Sequence, residues 1–168
     1  PAPPTVQAVD VRPLVEAAVR LARPALAHRG VDLDVLARES AFTVWVDAEQ
    51  VQRALLSILL SCTPSLRDGH ITMTIERVGD TGHLTLEFEG SPSPPAAWDV
   101  FEPFPTAGHS HGLALATARR LIENQHGAVR TQIIENRLRC VISLPIASAA
   151  PHAATDSLQA RREETRTC

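Results

Sequence analysis

The sequence predicts an α+β fold, a two-layer sandwich in which helices pack on one face of a mixed β-sheet. Segments with apolar residues three to four positions apart, typical of helices, are separated by short segments in which every second residue is apolar, typical of strands. The predicted order is helix, strand, strand, helix, hairpin, loop, helix and hairpin. This order suits a sheet whose helices are all on one side.

Composition limits the classes of protein that need to be considered. The 168 residues suffice for one domain with a sizeable core, and the low aromatic content of 4% means that Leu, Val, Ile and Ala must build it. The net charge of -3, without a basic stripe, argues against nucleic-acid binding. Cys62, Cys140 and Cys168 are too widely spaced for a disulfide framework or a zinc site, so we expect a reducing, cytoplasmic compartment. Since no apolar run has the length of a membrane span, we expect no membrane contact by this domain.

In the first half of the chain, we predict that residues 1–9 are a linker and that the domain spans 10–146. Asp10 is a predicted N-cap of a helix that Pro24 should kink or restart and that ends at residues 28–30. Alternating apolar residues predict strands over 31–35 and 42–46. Asp47 then starts a second helix, with Gln50 at the capping-box position and Pro64 as the stop.

In the second half, alternation predicts a hairpin of residues 71–78 and 84–88, followed by an irregular proline-rich segment over 91–95. A helix begins at Gly112, and Gly127 is placed to form its left-handed C-terminal cap. Two more strands follow over 129–134 and 138–144, and residues 147–168 have the composition of a disordered tail. The predicted core of the helical layer consists of Leu55, Leu113, Leu121 and Ile122.

The stretch from Phe101 to Gly127 carries the strongest functional signal. It begins with the letters FEPF, continues through a short loop of small and polar residues, and enters the helix at Gly112 with Ser110 as a candidate N-cap. A loop with a glycine that leads into a helix N-terminus can hold an anion, because unpaired N–H groups and the helix dipole point at it.

This stretch resembles the end of the catalytic, ATP-binding domain of sensor histidine kinases, in the GHKL ATPase superfamily. FEPF matches the FxPF box of these domains, Gly112-Leu113-Ala114-Leu115 matches the second half of their GLGL-type box, and His126-Gly127 matches the end of the following helix. The upstream elements follow the same order, so the resemblance covers about residues 10–146. It implies a Bergerat-type fold that binds ATP with Mg²⁺.

The resemblance also implies which residues of the second helix would face the nucleotide. Ser57 and Ser61 occupy the positions of two asparagines in the family, the second of which binds the Mg²⁺ that accompanies ATP. A hydroxyl can also bind Mg²⁺, so Ser61 is the candidate metal ligand. The alternative is that this helix only packs and that its serines face solvent or the sheet.

The family's adenine-recognising Asp, at the end of a central strand, has no direct counterpart. Glu89, followed by Gly90, is the best candidate to replace it, and Glu87 is the second. The alternation with Leu86 and Phe88 equally predicts that both glutamates are solvent-facing strand residues.

The lid that precedes the last helix is shorter than in the family and lacks Lys and Arg. Its potentially cationic side chains are His109 and His111, which would contact phosphate oxygens if they are not ordinary surface residues. A metal site built on this pair with His126 is conceivable, but the sequence does not place a third ligand beside the pair. Phe101 and Phe104 are expected to anchor the lid. The remaining residues expected to contact nucleotide are Gly108, Ser110, Gly112 and Leu113.

These matches imply the catalytic domain of a two-component sensor histidine kinase. The full protein would transfer phosphate from ATP to a histidine on separate dimerisation helices, outside this chain, and would serve a cognate response regulator, whereas the fragment would hydrolyse ATP slowly. The degenerate boxes also permit a pseudokinase module that binds proteins without useful nucleotide affinity. An anti-sigma-type or histidine-phosphotransfer protein of the same fold fits less well, because the FEPF box is kept and a helical hairpin is absent.

Overall fold

The computed structural model describes residues 5–38, 42–62, 67–91, 112–135 and 137–147. Within these ranges the chain forms three helices and seven strands: the three helices and six of the strands follow the predicted order, and the seventh strand is an additional one at the start. Their bounds are β1 Gln7–Asp10, α1 Val11–Ala27, β2 Asp32–Ala37, β3 Thr43–Val46, α2 Ala48–Cys62, β4 Arg67–Val78, β5 Thr81–Ser91, α3 Gly112–Glu123, β6 Ala128–Ile134 and β7 Arg137–Pro145.

Five strands form the main sheet in the order β2-β4-β5-β7-β6. The pair β2–β4 is parallel and the other pairs are antiparallel, so the sheet is mixed. Along β5, Leu84, Leu86 and Phe88 are buried against the helical layer, whereas the residues between them are half-buried on the outer face. The predicted fold class, a two-layer sandwich with helices on one face, is confirmed.

The three helices lie side by side on the inner face of the sheet. Helix α2 is in the middle and packs against both α1 and α3, while α1 contacts β2 and α3 contacts β6. Helix α1 continues past Pro24 to Ala27. None of the helices in the described part of the chain is both long enough and apolar enough to cross a membrane.

A second, two-stranded sheet corrects the predicted start of the domain. Residues Gln7–Asp10, most of which we had assigned to a linker, pair antiparallel with β3, and Val9 lies opposite Val44. Val9 is the one apolar residue of this strand that reaches the edge of the core, so the segment lacks the alternation that would have revealed it. On the other side of β3, Ile146 forms a bridge with Val44, and the N–H of Ala147 donates to the carbonyl of Thr43 at 2.9 Å.

The ends of α1 and α3 share the Schellman pattern, in which paired backbone N–H groups reach back to the last carbonyls. At the end of α1, Gly30 takes the left-handed position, with φ of 67°. At the end of α3, His126 takes it, with φ of 58°, and not Gly127 as predicted. Gly127 is required for a different reason: a Cβ there would lie 2.6 Å from the carbonyl oxygen of Ser143 and 2.8 Å from Cγ2 of Ile122.

The buried face of α3 is rotated relative to the prediction. Leu115, Ala118 and Ile122 are its fully buried residues, whereas Leu121 is half-buried at the edge of the core. Leu55 and Ile122 are both 0% exposed, as predicted. Since the apolar residues of α3 cover more than half of its circumference, periodicity alone did not fix which of them faces the sheet.

Candidate functional site

One end of the α2–α3 pair is fixed by the buried side chain of Gln125, which lies just after α3. Its Oε1 accepts the backbone N–H of Asp47 at 2.7 Å, and its Nε2 donates to Oε1 of Gln50 at 3.0 Å. Asp47 is the N-cap of α2, where its carboxylate accepts the N–H of Gln50 at 3.2 Å. The C-terminal end of α3 therefore meets the N-terminal end of α2.

The two helices must consequently run in opposite directions. They pack along much of their length, so the first residue of α3, Gly112, lies towards the C-terminal end of α2, where Ser61 and Cys62 are found. The strands agree with this arrangement. Ser91, at the end of β5, is paired with Arg67, at the start of β4, only a few residues after α2 ends.

Ser57 and Ser61 lie on the flank of α2 that faces α3. Gln50, Ala54, Ser57 and Ser61 recur at spacings of four, three and four, which places them in one stripe along the helix. Because Gln50 at the start of this stripe contacts Gln125, the stripe follows the α3 side of the helix. Both serines are half-buried there, so the structure brings Ser61 and the N-terminus of α3 to the same end of the sandwich.

The end of β5 contributes backbone rather than a carboxylate to this region. Phe88 is buried on the helical side, and by alternation Gly90, two residues later, lies on the same side but is exposed at the end of the strand, with φ of 155°. Glu89 points to the outer face, where its carboxylate pairs with the Arg137 guanidinium at 2.7 Å. The structure thus separates Glu89 from the serines, for the reason that strand alternation gives.

The outer face of the sheet is a polar surface of its own. Glu87, the second candidate for base recognition, pairs there with Arg139. Nearby, Arg38 and Arg130 line an open groove with a floor that includes Thr74, which is 8% exposed. This groove lies on the side of the sheet opposite Ser57 and Ser61.

Several predicted site residues lie outside the described residues, namely Phe101, Phe104, Gly108, His109, Ser110 and His111. Gly112 opens α3, and the side chain of Leu113 is likewise outside the description. Within the described ranges, no three His, Cys, Asp or Glu side chains are close enough together to hold a metal ion.

The two described cysteines are buried in the core rather than in the site. Burial raises the pKa of the Cys62 thiol to about 12. Burial also raises the pKa of Cys140, with the nearby Cys62 adding to the shift and Arg119 opposing it. Both thiols are thus neutral at physiological pH and unsuited to act as nucleophiles.

Gln125 is the one residue of this region that the sequence did not single out. Its signal was faint, since a glutamine after a helix gives no periodic pattern. The capping box offers one hint. In a capping box the side chain of Gln50 would accept the backbone N–H of Asp47. In the structure Gln125 accepts that N–H instead, and Gln50 accepts a hydrogen bond from the amide nitrogen of Gln125.

No protein-family model matches the sequence. Among curated proteins, the chain is 27% identical over 141 residues to the sensor histidine kinase ZraS of Salmonella typhi. The match covers 82% of this chain and 30% of ZraS, so the chain spans about a third of the length of this relative.

Solved structures give the same result at the level of the fold. The catalytic domain of the histidine kinase ThkA superposes with a TM-score of 0.74 at 19% identity, covering 84% of this chain and 95% of that domain. Full-length ShkA in complex with AMPPNP superposes with a TM-score of 0.74 at 18% identity, covering 89% of this chain and 33% of ShkA. The resemblance inferred from the sequence is confirmed, and the chain has the fold of a histidine kinase catalytic domain.

Proposed function

We propose that this chain is the ATP-binding catalytic domain of a sensor histidine kinase. The observation that carries the proposal is the convergence of three chain segments at one end of the sandwich: the Ser57–Ser61 flank of α2, the end of β5 at Gly90, and Gly112 at the start of α3. These segments are far apart in sequence. They correspond to the positions that the resemblance assigned to nucleotide.

The donor groups in this region suit a nucleotide triphosphate. The N-terminus of α3 offers backbone N–H groups and the positive end of the helix dipole to phosphate oxygens. Ser57 and Ser61 would add hydroxyl groups on the facing helix, and the Ser61 hydroxyl would be a ligand to the Mg²⁺ of bound ATP. ATP with Mg²⁺ supplies the phosphoryl group, whereas the protein contributes positioning and electrostatic stabilisation.

The similarity to ShkA, which was solved with the ATP analogue AMPPNP, supports nucleotide binding in this fold. Because the chain spans only part of the length of ZraS, the remaining components are proposed to lie elsewhere in a longer protein. These are the dimerisation helices with the phosphoacceptor histidine, to which phosphate is transferred before it passes to a response regulator. The domain would work in the cytoplasm, where ATP is available.

Calorimetric titration with ATP and Mg²⁺ tests the proposal. Each lost charge-assisted hydrogen bond costs on the order of 1.5–3 kcal/mol, so we expect binding at about micromolar affinity or weaker. Gly112→Val should abolish binding with the fold intact, because a branched side chain would occupy the space where phosphate approaches the backbone. Gly79→Ala, in the turn between β4 and β5, is the matched control and should bind as the unaltered protein does. Unchanged binding by Gly112→Val would refute the assignment of this loop to phosphate.

A second candidate function is a pseudokinase module, and the position of Glu89 favours it. With Glu89 paired to Arg137 on the outer face, the described part of β5 has no inward carboxylate to accept a hydrogen bond from an adenine amino group. The module would then act through protein contacts alone. A folded protein that gives neither heat nor a melting shift with saturating ATP and Mg²⁺ would replace the first proposal with this one.

A further inference from the structure

Gln125 is one of two buried polar residues in the described part of the chain, and its side chain is 1% exposed. Both ends of its amide are used: the oxygen accepts the N–H of Asp47, and the nitrogen donates to Gln50. Burying an amide is costly unless it is hydrogen-bonded, so this side chain has a narrow choice of positions. The end of α3 is thereby tied to the first turn of α2.

Much of the described contact between α2 and α3 is apolar. The buried residues of the two helices are aliphatic apart from Cys62, and they include Leu55, Ile58, Leu115 and Ile122. Hydrophobic attraction is non-directional, whereas hydrogen bonds at 2.7 and 3.0 Å demand particular distances and angles. Asp47 extends the same network, because its carboxylate also accepts the N–H of Thr5 at 2.8 Å.

We propose that Gln125 is a positioning residue for the nucleotide site. It fixes the register of α3 against α2 at one end and thus sets the separation between Gly112 and Ser61 at the other. Sliding α3 by one residue would move its N-terminus by about 1.5 Å relative to the serines. Contacts that depend on placement to within about 1 Å would be lost by such a shift. This inference rests on the proposed function, because it assigns Gln125 to the same site.

The first test compares affinities for ATP in the presence of Mg²⁺. Gln125→Met keeps the length of the side chain but removes both hydrogen bonds, and we expect the dissociation constant to rise about tenfold. The matched control is Val31→Ala, which opens a cavity at a buried residue just before β2, the strand at the opposite edge of the sheet from β6 and α3. It lowers stability at a position far from Gln125 in the sheet order. Equal affinities of the two variants would overturn the inference.

The second test needs no nucleotide and therefore separates this inference from the proposed function. Spin labels at exposed Leu60→Cys in α2 and Ala114→Cys in α3 report the separation of the helices. The background is Cys168→Ser, and the buried Cys62 and Cys140 are not expected to be labelled.

Gln125→Met should broaden the label distances or move their mean by about 1.5 Å, the rise of one helical residue. Val31→Ala should leave the distances unchanged. If Gln125→Met does not fold, Gln50→Leu takes its place; it removes the acceptor for the amide of Gln125 and the longer bond, at 3.5 Å, that Gln50 Nε2 donates to the Asp47 carboxylate. Distances that coincide with those of the unaltered protein would overturn the positioning role. Failure of the unaltered protein to bind ATP would instead refute the proposed function, while the label distances would still decide the role of Gln125.

Discussion

Gly127→Ala provides a sensitive test of how α3 is joined to the sheet. The added Cβ would lie 2.6 Å from the Ser143 carbonyl oxygen, 2.8 Å from Cγ2 of Ile122 and 3.0 Å from the Ile122 carbonyl oxygen. Two of these three atoms belong to the backbone, so relief requires the chain itself to move. Overpacking of this kind costs about 1–3 kcal/mol.

The matched control for this substitution is Gly79→Ala. Gly79 has φ of 60° and no atom within 4 Å of an added Cβ, so alanine there meets backbone strain without crowding. Such strain costs about 1–2 kcal/mol. We expect Gly127→Ala to be the more damaging change, at about 2–3 kcal/mol, which corresponds to a fall in melting temperature of roughly 6–12 °C for a domain of this size.

Chemical denaturation followed by circular dichroism measures both free energies of unfolding. The same series should include His126→Gly, because His126 takes the left-handed position with φ of 58°. Glycine there relieves the strain of a residue with a Cβ, and we expect a gain of up to about 1 kcal/mol. A Gly127→Ala protein as stable as Gly79→Ala would refute the reasoning that Gly127 is required by close packing.

Three further predictions concern the core, the sheet and the thiols. Ile122→Ala should lower the free energy of unfolding by about 2–5 kcal/mol, because the Ile122 side chain is 0% exposed. Leu121→Ala should cost clearly less, because Leu121 is only half-buried. Equal losses would contradict the orientation of α3. Glu89→Gln affects an exposed ion pair on the outer face. It should therefore leave the affinity for ATP unchanged within about twofold and the free energy of unfolding within about 1 kcal/mol. A large loss of affinity would instead implicate Glu89 in base recognition. In a Cys168→Ser background, the folded protein should resist thiol reagents at neutral pH and react only as it unfolds. Burial raises the pKa of Cys62 from 9.0 to about 12, so the folded state favours the neutral thiol. The stability that this preference adds is complete below about pH 9 and is lost as pH rises towards 12. Rapid labelling of the native protein would contradict the prediction that the thiols are protected.

The sequence predicted the main elements because each carries a hydrophobic period of its own, as in Leu84, Leu86 and Phe88 of β5. The same alternation already implied that Glu89 faces outwards, although the resemblance drew attention to it as a base-recognising residue. Strand β1 was missed because its partner is β3, a short strand outside the main sheet. The pairing, and not the composition of residues 7–10, makes the segment a strand.

The candidate site was predictable only in part, because the positions of its residues depend on contacts between segments. The spacing of Ser57 and Ser61 places them on one helical flank, but only the hydrogen bonds of Gln125 identify that flank as the one facing α3. Likewise, the glycine after α3 suggested a left-handed cap, yet the crowding around Gly127 depends on Ser143, which belongs to another strand. A buried amide and a steric contact with another strand do not produce a repeating pattern of apolar residues, so sequence periodicity cannot predict them.

The small sheet also determines how this domain can be combined with others. Val9 and Ile146 pair with the same residue, Val44, from opposite sides. Both segments run antiparallel to β3 and therefore parallel to each other. The chain thus enters the fold beside Asp47, whose carboxylate accepts the N–H of Thr5, and leaves it beside Thr43, at the other end of β3. In a fusion, a partner attached before β1 and a partner attached after Ile146 would emerge at opposite ends of this short strand, so the domain would separate them rather than bring them together.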